Sequence, residues 1–405
     1  MANSFSAAFA EYWSRRMQRV HSRVDVYRAI ASFEEQATLK SGDVVHRPYH
    51  TVPSVKAYTR GTAVTIQDQT VTDESLTVDQ SFVTPFYVDD LDALQSNYPL
   101  MNKLADEAAI KLSNKIDGDV LGEYDQADSD VDDGTLGGTS GNGITVTTSN
   151  IQAIFAAAKR KLRKTLNSNF KEGDLFAAVS PHFEETLLKY LAGRETVLGD
   201  STGMNGHIGK YFGFDLYSSN SVGWSAELVL STIPTAGDTI TINGVVLTAA
   251  ADGAATAAGE FSIQTTNDLA AAELVKLING TGTAGADSYI DVSTANRALL
   301  DGITATYSAS TDILSLKAEG WASVAVSETL TPAANIWTTT KQIEHQLFGK
   351  KKAIDVVVQA RPKIEIKEVS DKLGKNIIPY TLYGIKTFDE GDAMLVDVNC
   401  RSDAY

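Results

Sequence analysis

Residues 84–122 read TPFYVDDLDALQSNYPLMNKLADEAAIKLSNKIDGDVLG, and the reading of this stretch decides the architecture. Leu100, Leu104, Ala108, Leu112, Ile116 and Val120 recur every fourth residue, which puts them on one slowly drifting face of a helix with 3.6 residues per turn. Lys103, Asp106, Glu107, Lys111 and Lys115 fall on the other faces. Pro99 stands where a helix start tolerates a missing N–H, Asn97 or Ser96 can cap it, and Gly122 follows the last periodic residue. About 22 residues at 1.5 Å each span roughly 33 Å, so the helix is expected to be a spine and not one member of a bundle. Its apolar face is expected to meet the C-terminal strands around 364–369 and 395–398.

Working outward toward the N-terminus, residues 44–83 switch to a period of two, interrupted by Pro48, Pro53 and Gly61. Few large apolar residues accompany that alternation, so it predicts a long β-hairpin that needs a partner surface. Before it, Phe5, Phe9, Trp13, Met17, Val20, Val24 and Tyr27 form a second helical stripe, with Arg15, Arg16, Arg19 and Arg23 largely off it. A basic helix face is by default solvated; the sharper reading is an arm that meets an anionic partner.

Beyond the spine, 125–143 is acidic and Gly-rich. Asp128, Asp130 and Asp132 have the spacing of a calcium loop, but Asp133 and Thr139 stand where an EF-hand needs Gly and Glu, and a solvated loop is the default. Ser149 and Gln152 have capping-box spacing ahead of a stripe formed by Ile151, Ile154, Phe155, Ala158, Leu162 and Leu166. Lys159, Arg160, Lys161, Arg163 and Lys164 crowd the C-terminal half of that helix, where cations suit the helix dipole and could also meet nucleic acid or an acidic neighbour. Residues 175–179 predict a strand, Ser180 an N-cap, Pro181 a first helical position and Gly193 a stop.

Composition shifts at Gly223: to about Trp337 the chain is rich in Ala, Thr and Gly and poor in Lys and Arg. Asn243-Gly244 between two short β runs predicts a hairpin. A strand at 261–263, a helix over 269–278 stopped by Gly280, and a hairpin of 303–308 with 313–317 complete a small α+β unit. The tail is expected to hold a helix over 340–348 and strands at 355–358, 363–369, 380–387 and 393–398.

At 405 residues the chain is too long for one ordinary core. A net charge of −16 argues against a protein whose main task is gripping nucleic acid. The charge is uneven, with nine basic against five acidic residues in 1–60. Cys400 is the only cysteine, which excludes an intramolecular disulfide and suits a reducing compartment. No apolar run has the length of a membrane span. His21, His46, His50, His182, His207 and His345 stand in no metal or triad-like local motif, and no nucleophile elbow, Walker A loop or dinucleotide fingerprint occurs. Triads assemble in space, so sequence does not exclude one. The expectation is no enzyme, no cofactor and no metal.

In GHIGKYFGFDLYSS, residues Gly206, Ile208, Gly209, Gly213, Phe214, Tyr217 and Ser219 carry the pattern G-x-I-G-x-x-x-G-F-x-x-Y-x-S. This resembles tailed-bacteriophage major capsid proteins of the Hong Kong 97-type fold. The preceding FAAVSPHFEETLLKYL looks like that family's strand-Pro-helix element, and DESLTVDQSFVTPFYVDDLDALQSNYPL like its extended loop running into the spine. The likeness covers most of 30–222 and 338–405. It implies an α+β chain with an N-terminal arm helix (1–30), an extended loop (31–83), a peripheral domain on the spine helix (84–172) and an axial domain (173–222). An insertion domain (223–337) and a return to the axial and peripheral domains (338–405) follow.

The function implied is a shell of hexamers and pentamers around double-stranded DNA, assembled in the host bacterial cytoplasm with a portal. Because the chain starts at Met1 without a long extension, a separate scaffolding protein is expected. Arg15, Arg16, Arg19, Arg23, Lys159, Arg160, Lys161, Arg163 and Lys164 are the candidate DNA- or scaffold-facing residues. An acidic balance fits, since an interior that held DNA tightly would hinder packaging and ejection. An encapsulin-like protein compartment shares the fold and is the alternative, followed by a phage tail or decoration protein.

Overall fold

The spine helix forms as Leu100–Leu121, over the span its periodicity predicts. The computed structural model describes residues 25–37, 42–50, 53–64, 66–89, 100–166, 172–194, 209–320, 324–368 and 373–402. Within it Ala108, Leu112, Ile116 and Val120 are buried. Ile116, Val120 and Leu121 share a core with Phe176, Ala178, Leu347, Ile354, Val356 and Tyr383. The expected partner at 364–369 is therefore displaced toward the start of its strand. That strand is continuous, Ile354–Glu368, where two short strands were expected. Its register with Gly374–Thr387 slips between Val358 and Ala360 and again between Ala360 and Lys363, and such irregularities bend a strand. Beyond them Ile364 and Ile366 are 39% and 51% exposed. Leu395 joins the spine's core, whereas Val396 and Val398 point to the opposite face of their sheet, as alternation along a strand requires.

Among the described residues ten strands join one mixed sheet. Ile343–Lys350 is its centre. It pairs along one edge with Leu395–Arg401. Along the other it pairs first with Gly223–Val229 and then with Leu175–Val179. The helix expected over 340–348 is thus a strand. Glu344, His345 and Gln346 are polar, yet all three are buried. Each is satisfied inside: Ser180 Oγ donates to Glu344 at 2.7 Å, and Gln346 Oε1 accepts from the Ser180 N–H at 2.5 Å. Ser180 is also the N-cap of Pro181–Ala192, with Pro181 at its first turn and Gly193 following, as expected.

The helix Ile151–Leu166 lies on the face opposite the spine. Ile151, Ile154, Phe155, Ala158 and Leu162 pack there with Phe183, Phe214, Phe348, Val396 and Val398. The expected capping box is absent: Ser149 pairs with Thr147, and Gln152 accepts from the Tyr190 hydroxyl at 2.8 Å. Phe212 and Gly213 link Lys210–Tyr211 to Phe214–Ser218 with φ of 53° and 91°. Two consecutive positive φ values make a tight hairpin turn, which is why the pattern has Gly213 there.

One further core is built from residues between Trp224 and Trp337 alone. The predicted hairpin forms as Thr239–Ile242 and Val245–Ala250, with positive φ at Asn243 and Gly244. The helix is Asn267–Asn279, closed by Gly280 in the left-handed region. The second hairpin is Ile303–Ser308 with Ile313–Ala318. A short helix, Thr294–Leu299, has no counterpart in the sequence reading, because six residues carry too little periodicity to see. Among the described residues no helix is long and apolar enough to cross a membrane.

Candidate assembly surfaces

The hairpin read from the period-two pattern forms as Val44–His50 paired with Val71–Thr77. Its root is fixed. Val45, Leu76 and Val78 share a small core with Val357 and Phe388. Arg47 bonds Glu35 at 2.8 Å and Asp355 at 3.0 Å, with its guanidinium 4.1 Å above the Phe388 ring. The far end has no such support. Ser54 and Gln67 tie the two sides together through the Gln67 amide, and beyond them Val55, Tyr58, Val64 and Ile66 are 102%, 65%, 72% and 87% exposed. Four exposed apolar side chains on a braced stalk are costly in water and point to a surface covered by another chain.

The arm is anchored where it reaches the spine. Asp117 accepts from the N–H groups of Val26 and Tyr27, each at 2.8 Å, and Ser113 donates to Asp25 at 2.6 Å. Burial pushes the Asp117 carboxyl up from its ordinary value, and the two backbone donors oppose that. The arm residues Arg15, Arg16, Arg19 and Arg23, and most of the predicted arm helix, lie outside the described residues.

Four of the five cations on Ile151–Leu166 converge. Lys159, Arg160, Arg163 and Lys164, with Ala156 and Phe212, line an open depression of about 500 Å³. Lys159 Nζ donates to the Phe212 carbonyl at 3.0 Å. Lys161 is apart from them, donating to the Asp130 carbonyl. Sequence foretold the cations; it held no signal that Phe212, 48 to 53 residues away along the chain, completes the wall.

The structure also assembles a trio that no local motif announced. Ser225 Oγ lies 2.8 Å from His345 Nε2, and His345 Nδ1 lies 2.7 Å from Asp397. Nucleophilic catalysis requires free N–H donors near the hydroxyl and room for a substrate. Ser225 instead sits inside a strand paired on both edges, and the Tyr124 ring covers the imidazole at 3.8 Å, nearly parallel. The trio is a buried clamp across three strands. Asp397 is held above the ordinary carboxylate range by burial, with His345 opposing.

The spine meets the 224–337 region at a close approach. A Cβ on Gly118 would lie 2.9 Å from the Gly320 Cα. Lys317 reaches Asp125 at 2.7 Å and Glu319 at 3.4 Å, and stands 5.2 Å from the Tyr124 ring.

A family model described as phage capsid protein matches residues 52–246, which include the tip and second strand of the hairpin, the spine and the strand-Pro-helix element. Over that stretch the chain matches the phage capsid protein family. Solved phage structures, two of them described as capsids, share its fold over nearly all of both chains. Against that of Mycobacterium phage Che8 the TM-score is 0.58 at 15% identity, covering 98% of each chain. Against the capsid of cyanophage P-SCSP1u it is 0.55 at 11% identity, covering 100% of this chain and 96% of that one. The mature capsid of bacteriophage PhiM1 gives 0.50 at 10% identity, covering 98% and 93%. No curated protein matches the sequence. The Hong Kong 97-type fold expected from GHIGKYFGFDLYSS is the fold found. The family match and the shared fold together support a major capsid protein that self-assembles into the shell of a virion.

Proposed function

We propose that this capsid protein closes hexamers and pentamers into an icosahedral shell around double-stranded DNA, and that the hairpin tip is a principal bond between neighbours. The observation that carries this is Val55, Tyr58, Val64 and Ile66, exposed on a stalk whose root is packed and ion-paired. In this reading 31–83 is the extended loop, its tip lying on an adjacent subunit, 84–172 the peripheral domain and 173–222 the first part of the axial domain. Residues 223–337 are an insertion, supported by the core that Trp224 to Trp337 complete among themselves. Assembly takes place in the bacterial cytoplasm with a scaffolding protein and a portal. The basic arm and the basic helix face the contents of the shell, DNA or scaffolding protein, in an otherwise acidic chain.

Negative-stain microscopy of the purified assembly, with ultraviolet absorbance to detect DNA, tests the whole reading. Closed shells containing DNA are expected. Discrete small oligomers without shells, under conditions that preserve assemblies, refute it. Tyr58→Ser with Ile66→Ser tests the hairpin: both sites are exposed, so folding should be unchanged to within about 0.5 kcal/mol while shell yield collapses. Normal shells from this variant would remove the tip from the interface.

A further inference from the structure

The depression on the basic helix is poorly shaped for duplex DNA. A phosphate backbone gains from cations but nothing from an apolar floor, and here Ala156 and Phe212 supply one between Lys159, Arg160, Arg163 and Lys164. The wall from 156 to 164 runs about 12 Å along the helix axis, two turns, which is the length over which a second helix can pack. Phe212 is fixed in advance. Its carbonyl takes the Lys159 ammonium, its ring centroid is 4.9 Å from Tyr211 and 6.3 Å from Phe155, and Gly213 holds the turn. A preset aromatic beside a fixed cation lowers the ordering cost of binding.

Charge selects the occupant. The chain's own exposed apolar segment, the hairpin tip, carries Lys56 and Arg60 among its apolar residues, and cations at the groove would repel it. We propose that the groove binds a short acidic amphipathic helix of a different polypeptide. Its carboxylates would stand opposite Arg160, Arg163 and Lys164, and one large apolar side chain would stand against Phe212 and Ala156. The inference rests on the shell reading only for the origin of that polypeptide, an accessory protein of assembly; the binding itself is tested independently of shells.

The probe is a fluorescein-labelled peptide of about 15 residues, long enough to be partly helical alone, with Leu and Phe on one face and Glu on the rest. Comparison probes replace Glu by Lys, replace Leu and Phe by Ala, or substitute a labelled DNA duplex. Anisotropy is measured on the full chain and on Arg160→Glu/Lys164→Glu, both exposed positions, with unfolding curves confirming an intact fold. The acidic apolar peptide should bind, and either the double substitution or the loss of its apolar face should weaken it about tenfold or more. The Lys peptide should not bind. The proposal is overturned if the acidic peptide fails to bind or binds the variant equally well, or if duplex DNA is the probe whose binding the substitution abolishes. It is also overturned if the variant alone fails to form shells that the unaltered chain forms alone, since the occupant would then be a second copy.

Discussion

Gly118→Ala turns the contact between the spine and the 224–337 region into a question of sign. In a helix interior with an open face, Gly→Ala stabilises by about 0.8–1 kcal/mol. Gly118 lies inside Leu100–Leu121 but not on an open face. Its added methyl would sit 2.9 Å from the Gly320 Cα and 3.1 Å from the Gly320 nitrogen, against an optimum near 3.5–4.0 Å between carbons. Backbone cannot rotate away as a side chain can. The 319–320 segment must therefore retreat by roughly half an ångström or more, pulling on the Lys317 contacts with Asp125 and Tyr124. Overpacking of this kind costs about 1–3 kcal/mol. The two effects leave Gly118→Ala between neutral and about 2 kcal/mol less stable, and Gly118→Leu worse. Gly122→Ala is the control, because its methyl meets only the flexible Glu319 side chain, at 3.2 Å, and not backbone, so it should cost less than Gly118→Ala. Urea unfolding of the full chain followed by circular dichroism and tryptophan fluorescence gives the midpoint shift at constant slope. Trp224 and Trp337, buried in the 224–337 core, report that region directly. A gain of about 1 kcal/mol for Gly118→Ala would mean that the region does not rest on the spine.

Three further outcomes follow from the geometry. Partial burial works to raise the Asp132 pKa, but donors from Gly141, Thr135 and Ser140 outweigh it and hold the carboxyl down at about 2. A depressed folded-state value stabilises above the unfolded pKa, so the contribution, about 2 kcal/mol, should be complete above pH ~4 and fade as pH falls toward ~2. The stability gap between the unaltered chain and Asp132→Asn, measured by urea unfolding, should shrink across that window, and a constant gap would refute the assignment. Gly223→Ala should cost about 1–3 kcal/mol, because its methyl would lie 2.2 Å from the Tyr124 ring that covers His345; an unchanged unfolding midpoint would show that the ring is free to move. Removing residues 226–336, which keeps the Trp224–Glu344 and Ser225–Ile343 pairings, should leave the rest folded by circular dichroism. Loss of all secondary structure would refute the independence of that unit.

How much was legible from residues alone can be read from particular elements. The spine, the helix after Ser180 and the Asn243-Gly244 hairpin were all local: periodicity, a cap or a positive-φ requirement is written within a few neighbours. The strand Ile343–Lys350 was misread because Glu344, His345 and Gln346 are polar and yet buried, and their partners Ser180, Ser225 and Asp397 lie between 52 and 166 residues away. The spine's partner was placed on the right strand but toward the wrong end, since the irregularities that bend the strand belong to its pairing with Gly374–Thr387.

The opening stretch shows the division most plainly. By itself the sequence determined that residues near 100–121 make a helix with one apolar face, because a repeat of 3.6 residues needs no knowledge of neighbours. It also placed cations on the helix that follows the acidic loop. Tertiary structure alone decided that Asp117 anchors the arm, that Gly118 receives the 224–337 region, and that Phe212 turns four cations into a groove. Each of those pairs residues far apart in the chain, and only the closing of the sheet between them brings such residues within bonding distance.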